Sequence, residues 1–166
     1  MLQITKATFS DLAIIQRLAH QIWPETYKNI LSADQLKYML DKIYSLPALT
    51  EVYEKPNHYS LLAVVNEAPC GFGFYHLETP SNNHYHLDKL YLESSFQAQG
   101  NGKKMMSYIF KHIHSLGASS ISLNVNRKNK AVNFYLKLGF KIIAEKDISI
   151  GNGFYMNDYV METMLE

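Results

Sequence analysis

The sequence predicts a mixed α/β domain, a sheet of six to seven strands covered by about four helices. Three observations lead there. The hydrophobic period is helical near the N-terminus, becomes strand-like in the middle, and then alternates between the two. No repeat, low-complexity tract or linker interrupts the 166 residues, so a single domain is expected over 1–166. A composition that is 47% hydrophobic and 13% aromatic is enough for a folded core.

Residues 2–8 read as the first strand. Ser10-Asp11 offers an N-cap, and Leu12, Ile15, Leu18, Ala19 and Ile22 follow at helical spacing, with Trp23-Pro24-Glu25 as the stop. Ser32 and Gln35 make a capping box for a second helix, whose stripe is Leu36, Met39, Leu40 and Ile43. A short helical piece is expected over 47–55. Strands at 59–66 and 70–78 form a hairpin across Glu67-Ala68-Pro69, and a third strand covers 83–93. A helix at 102–116 ends at Gly117, and a strand at 119–125 follows. A helix at 127–138 is closed by Gly139, and strands at 140–149 and 154–164 complete the chain.

Composition narrows the function. The net charge is +1 and no run of like charge occurs, so nothing in the sequence suggests a nucleic-acid partner. The lone cysteine, Cys70, cannot pair internally and reads as a small core residue in a strand. The first residues hold no long apolar stretch, so neither a signal peptide nor a membrane span is expected and the cytoplasm is the default.

Chemistry concentrates after the third strand of the meander, in Gln97-Ala98-Gln99-Gly100-Asn101-Gly102-Lys103-Lys104. Here a strand turns through two close glycines into a helix that begins with two lysines. Glycines let main-chain N–H groups approach a ligand, and a helix N-terminus favours anions. Lysines conflict with that dipole unless a polyanion binds there. The spacing is not a Walker loop, because Gly100 and Gly102 run directly into Lys103-Lys104. It is not a dinucleotide fingerprint either, because Met105 stands where a small residue is needed.

Gln97-x-x-Gly100-x-Gly102 resembles the coenzyme A signature of the GCN5-related N-acetyltransferases (GNAT). Downstream, Asn129 to Phe140 resembles the second signature of that family, a helix ending in Tyr135-x-x-x-Gly139-Phe140. The resemblance covers essentially the whole chain and implies a mostly antiparallel sheet, acetyl-CoA as co-substrate and a primary amine as acceptor. Its overall layout is similar to bacterial polyamine acetyltransferases.

By that resemblance, the main chain of Leu90, Tyr91 and Leu92 pairs with pantetheine in a gap of the sheet. The pyrophosphate sits on N–H groups from Gln97, Ala98, Gln99, Gly100, Asn101, Gly102 and Lys103, and Lys104 or Lys137 reaches the other phosphate. Tyr135 matches the tyrosine that protonates the departing thiolate. A neutral phenol with an ordinary pKa of ~10 keeps that proton at neutral pH. Many members carry an asparagine seven residues before this tyrosine. Lys128 stands there in this chain, so a coenzyme contact by the neighbouring Asn126 or Asn129 stays open.

The acceptor ammonium must lose a proton, and Asp88 and then Glu93 are the candidate bases, acting through water. His84 and His86 are alternatives. They share a strand face but lack a third ligand, so no metal is expected. The family's acceptor entrance implies Trp23, Glu25 and Tyr27 on one side and Tyr155 in the last hairpin on the other, acids among aromatics that suit a cation. Polyamine is the first acceptor class; a protein α-amino group or lysine, and then an aminoglycoside or amino acid, follow. A non-catalytic acetyl-CoA sensor is the alternative class, and the family analogy allows a homodimer.

Overall fold

A computed structural model describes residues 1–166. The strands are β1 (Leu2–Lys6), β2 (His58–Val65), β3 (Ala68–Thr79), β4 (His84–Leu92), β5 (Ser120–Asn126), β6 (Lys141–Gly151) and β7 (Phe154–Met164). The helices are α1 (Leu12–Tyr27), α2 (Ala33–Tyr44), α3 (Leu46–Glu54), a single turn α4 (Ser94–Gln97), α5 (Asn101–Ser115) and α6 (Ala131–Lys137). The strands form one sheet in the order β1-β2-β3-β4-β5-β7-β6. Every pairing is antiparallel except β4 with β5.

Each face of the sheet carries its own core. Leu62, Phe72 and Phe74 meet Leu12, Ile15, Leu18, Trp23 and Tyr44 of the first three helices. On the other face Leu61, Tyr75, Leu87 and Leu123 meet Met105, Met106, Ile109 and Ile113 of α5. Alternation along β2 and β3 sends successive side chains into the two cores, as the strand period requires. Cys70 is fully buried in the second core, with its thiol directed at the Ala63 carbonyl 3.5 Å away.

Where local structure departs from the sequence expectation, a side chain decides it. Helix α1 does not stop at Pro24 but runs on to Tyr27. Trp23 and Tyr27 are both buried, with ring centroids 4.7 Å apart, and that packing outweighs the hydrogen bond Pro24 cannot make. A 3₁₀ turn, Phe9–Asp11, precedes α1, because Asp11 Oδ2 accepts the Thr8 N–H at 2.7 Å. Ser32 caps α2 by accepting the Gln35 N–H at 3.1 Å, but the Gln35 side chain does not reach back; its amide donates to the Tyr155 carbonyl at 2.7 Å. Helix α6 starts four residues later than its periodicity suggests. Asn126 and Asn129 accept the N–H groups of Lys128 and Ala131 at 3.0 and 2.9 Å and hold that stretch as Asx turns.

Candidate active site

The one parallel pairing is short. β4 meets β5 only from His84 with Ser120 to Leu87 with Leu123. At that point β4 carries a bulge, since Phe74 pairs with Lys89 and Tyr75 with Leu87, leaving Asp88 unpaired. A bulge bends and twists its strand, and beyond it β4 leaves β5. The β5 edge of Lys89, Leu90 and Tyr91 is therefore free. A cavity of about 330 Å³ opens beside it, lined among others by Asp88, Leu90, Tyr91, Asn126, Tyr135 and Asp158.

Past this strand edge the chain leads through α4 to the N-terminus of α5. Gly100 caps α5 at φ 69°, a left-handed conformation that glycine adopts without strain, and no side chain caps the helix. Lys104 N–H is the donor to the Gly100 carbonyl, so the first turn's own N–H groups have no partner inside the helix. Two side chains hold the loop from within. Gln97 donates to the Leu92 carbonyl at 2.8 Å, and the buried Asn101 donates to the Phe96 carbonyl at 3.0 Å. Gly102 lies under the ring of Phe134, where an added Cβ would sit 3.2 Å from ring carbon. Helices α5 and α6 are thus drawn together beside the strand end.

Tyr135 projects from α6 into the cavity, 7% exposed, its ring against Phe134 and Phe140 at centroid distances of 5.1 and 5.5 Å. Burial raises its pKa well above the ordinary phenol value. The hydroxyl holds its proton and makes no hydrogen bond to the protein.

The opposite wall is aromatic. Trp23 and Tyr27 of α1 pack on Tyr91 of β4, with Trp23 to Tyr91 centroids at 5.7 Å and the Tyr27 and Tyr91 hydroxyls 2.8 Å apart. Tyr44 receives the Trp23 indole N–H at 3.1 Å. Lys89 lies over the rings of Phe74 and Tyr44, 4.9 and 5.9 Å from their centroids, and burial lowers its pKa. Helix α2 ties this wall to the last hairpin: Tyr38 donates to the Ile150 carbonyl at 2.9 Å, and Gln35 to Tyr155 as above.

The sequence-derived residues divide. Leu90, Tyr91, Asp88, Asn129, Tyr135, Trp23 and Tyr27 all line the cavity. Asp88 Oδ2 takes a 2.7 Å hydrogen bond from His76 Nδ1, and the carboxylate raises the pKa of that histidine. Leu92 is buried beneath the strand end, and Glu93 sits past it with its N–H on the Cys70 carbonyl. Glu25 pairs with Lys28 on the outer surface at 3.3 Å, and Tyr155 is 53% exposed, so neither joins the lining. Lys137 is exposed at the end of α6. His84 and His86 bond to Ser120 and Ser122, and no cluster of three ligands able to hold a metal ion is present. Asp158 falls within the last-hairpin stretch 151–159 that the family's acceptor entrance implies, but the sequence does not single it out as a site residue. It lies on β7 opposite Asn126, buried and in the cavity wall. An acid at an inward-facing strand position near the aromatic stretch was its one available signal.

The fold and this opening define an acyltransferase of GNAT type, and comparison with known proteins agrees. Residues 15–163 match the family model described as the acetyltransferase (GNAT) domain, and the chain belongs to that family. A spermidine N(1)-acetyltransferase of Thermoplasma acidophilum is 26% identical over 144 residues, covering 85% of this chain and 89% of that one. An uncharacterized N-acetyltransferase of Mycobacterium tuberculosis is 37% identical over 76 residues, 45% of this chain and only 48% of that protein's length. The PaiA N-acetyltransferase of Thermoplasma acidophilum, solved in complex with coenzyme A, superposes with a TM-score of 0.83 over 99% of both chains at 23% identity. No helix is long and apolar enough to cross a membrane.

Proposed function

We propose that this protein transfers the acetyl group of acetyl-CoA to a primary amine, a polyamine or another small amine, by direct attack with Tyr135 as general acid. The observation that carries the reading is the position of Tyr135: buried in a cavity lined by an unpaired strand edge and an aromatic wall, on a helix whose Phe134 packs over Gly102 at the uncapped start of α5.

The residues present fit the coenzyme. The free edge of Leu90 and Tyr91 suits an extended chain carrying amide groups, as a further strand would. The N–H groups from Gly100 to Lys103, with Lys103 and Lys104 beside them, suit a pyrophosphate. Acetyl-CoA bound there supplies an activated thioester. A main-chain N–H of the same edge then stabilises the charge that develops on the acetyl oxygen as nitrogen attacks. Tyr135 donates its proton to the departing sulfur. Because burial raises its pKa, the tyrosinate left behind is strongly basic and is quickly reprotonated. The aromatic wall excludes water and accepts an alkylammonium by cation–π contact. Deprotonation of that ammonium falls to a carboxylate on the cavity wall, and two reach it, Asp88 and Asp158.

The polyamine class draws support from the spermidine N(1)-acetyltransferase relative, which spans most of this chain. The test is thiol release from acetyl-CoA across a panel of polyamines, monoamines, amino acids, aminoglycosides and peptides, with mass detection of the acetylated product. Turnover with polyamines above the other classes is the expected result. Turnover with peptides alone would move the acceptor to a protein amine. Coenzyme binding without turnover across the panel would make the protein a sensor.

A further inference from the structure

Asp158 is a carboxylate that the fold buries and leaves without a partner. It is 6% exposed, and its Oδ1 is fully enclosed with no hydrogen bond. The neighbouring cation serves other groups: Arg127 gives one guanidinium nitrogen to Asp147 Oδ1 at 2.6 Å and another to the main-chain oxygen of Asp158 at 3.2 Å. A buried carboxylate in this state is costly unless a cation reaches it. It shares the cavity lining with the rings of Trp23, Tyr27 and Tyr91. Aromatic faces beside an unpaired carboxylate form a site for an alkylammonium. Asp88 differs, because its side chain is 26% exposed and one oxygen is already held by His76.

We propose that Asp158 receives the ammonium of the acceptor and takes its first proton, a role that rests on the transfer reaction above. The ammonium carries three protons. One passes to the Asp158 carboxylate, freeing the lone pair that forms the bond from nitrogen to the acetyl carbon. The carbon–sulfur bond breaks with its electron pair on sulfur, which takes the proton of Tyr135. A second nitrogen proton returns to Tyr135, and the proton on Asp158 leaves to solvent, so one amide, one free thiol and one proton result. Burial supports this use, since it pushes the Asp158 pKa up to about 6, nearer the working range of a general base. The ionisable groups arranged around it are Tyr27 on α1, Tyr44 on α2, Asp88, Lys89 and Tyr91 on β4, Arg127 after β5, Tyr135 on α6 and Lys146 opposite it on β6.

The test is Asp158→Asn, which keeps the shape and removes the charge, with Asp88→Asn alongside. Spermidine and n-butylamine are titrated calorimetrically into each protein saturated with coenzyme A, and steady-state transfer and melting temperature are measured on the same samples. In Asp158→Asn, amine affinity should fall by at least ~10-fold and kcat/KM for the amine by ~100-fold or more. Coenzyme A affinity should be unchanged, and the melting temperature without amine should rise. Amine binding and transfer within twofold of wild type would overturn the proposal. So would a loss confined to Asp88→Asn. A wild type that binds spermidine through Asp158 yet transfers nothing would refute the transfer reading and leave the ammonium site supported.

Discussion

The two walls of the cavity are built on different principles. The end of β4, which lines the cavity, and the start of α5 that follows it offer main chain: a free strand edge, a left-handed Gly100 and a helix turn whose N–H groups are open. The wall formed by α1, α2, Tyr91 of β4 and the β6–β7 hairpin offers side chains, three packed rings and the unpartnered Asp158. Main-chain groups cannot be altered by most substitutions, which suits a ligand that never changes. Side chains can be exchanged singly, which suits an acceptor that differs among relatives.

Substitution on each wall should change one Michaelis constant and spare the other. For the Michaelis constant of acetyl-CoA the largest effect is expected from Gly102→Val, whose branched side chain must displace Phe134 and disturb the approach of α5 to α6. Initial-rate kinetics should show the KM for acetyl-CoA raised on the order of 10-fold or more, a loss of ~1.4 kcal/mol or more, with the amine KM nearly unchanged. Equal rises in both constants would mean that the walls are not separable.

On the acceptor wall the informative variable is pH. The Asp158 pKa is raised from its ordinary 3.8 to about 6, chiefly by burial. The folded state therefore binds this proton more tightly than the unfolded one, and stability falls as pH rises from about 4 to about 6. The penalty, at most about 3 kcal/mol by the size of that rise, is fully present above pH 6. Denaturant melts of wild type and Asp158→Asn should differ in slope across that window and run parallel above it, with the variant the more stable by about 1–2 kcal/mol. Over the same range kcat/KM for the amine should rise with pH as the carboxylate ionises. Identical melts for the two proteins would mean that Asp158 carries no buried charge.

A smaller effect is expected where α2 holds the last hairpin. Removing the Gln35 bond to Tyr155 and the Tyr38 bond to Ile150, as Gln35→Ala with Tyr38→Phe, should cost about 1–2 kcal/mol of stability. It should raise the amine KM by a few-fold and leave acetyl-CoA binding intact. An acetyl-CoA KM that moved with it would show the hairpin reaching across to the coenzyme wall.

The same contrast explains what could be read in the sequence. The main-chain wall is local: Gln97, Gly100 and Gly102 lie within six residues, and the strand, the turn and the helix start fall on consecutive residues. Tyr135 was legible through a second local pattern, Tyr-x-x-x-Gly-Phe. The acceptor wall is assembled from residues far apart in the chain, so spacing could not single out Asp158 from other acids near aromatics. Glu25 illustrates the converse, an acid among aromatics in sequence whose helical phase turns it outward to Lys28. The departures at Pro24 and at the start of α6 have the same origin. At Pro24 a buried ring pair overrode the proline stop, and at α6 asparagines bonded to main chain overrode the hydrophobic period.

The most direct test is thiol release from acetyl-CoA with spermidine, wild type against Tyr135→Phe, each protein first shown to bind coenzyme A equally. Tyr135 lies in the cavity, and the contribution proposed for its hydroxyl is a proton. The phenylalanine variant should keep its fold and both binding affinities while kcat falls by ~10²-fold or more. Unchanged turnover in that variant would contradict the account, because the buried hydroxyl on which the site is built would then be doing no chemistry.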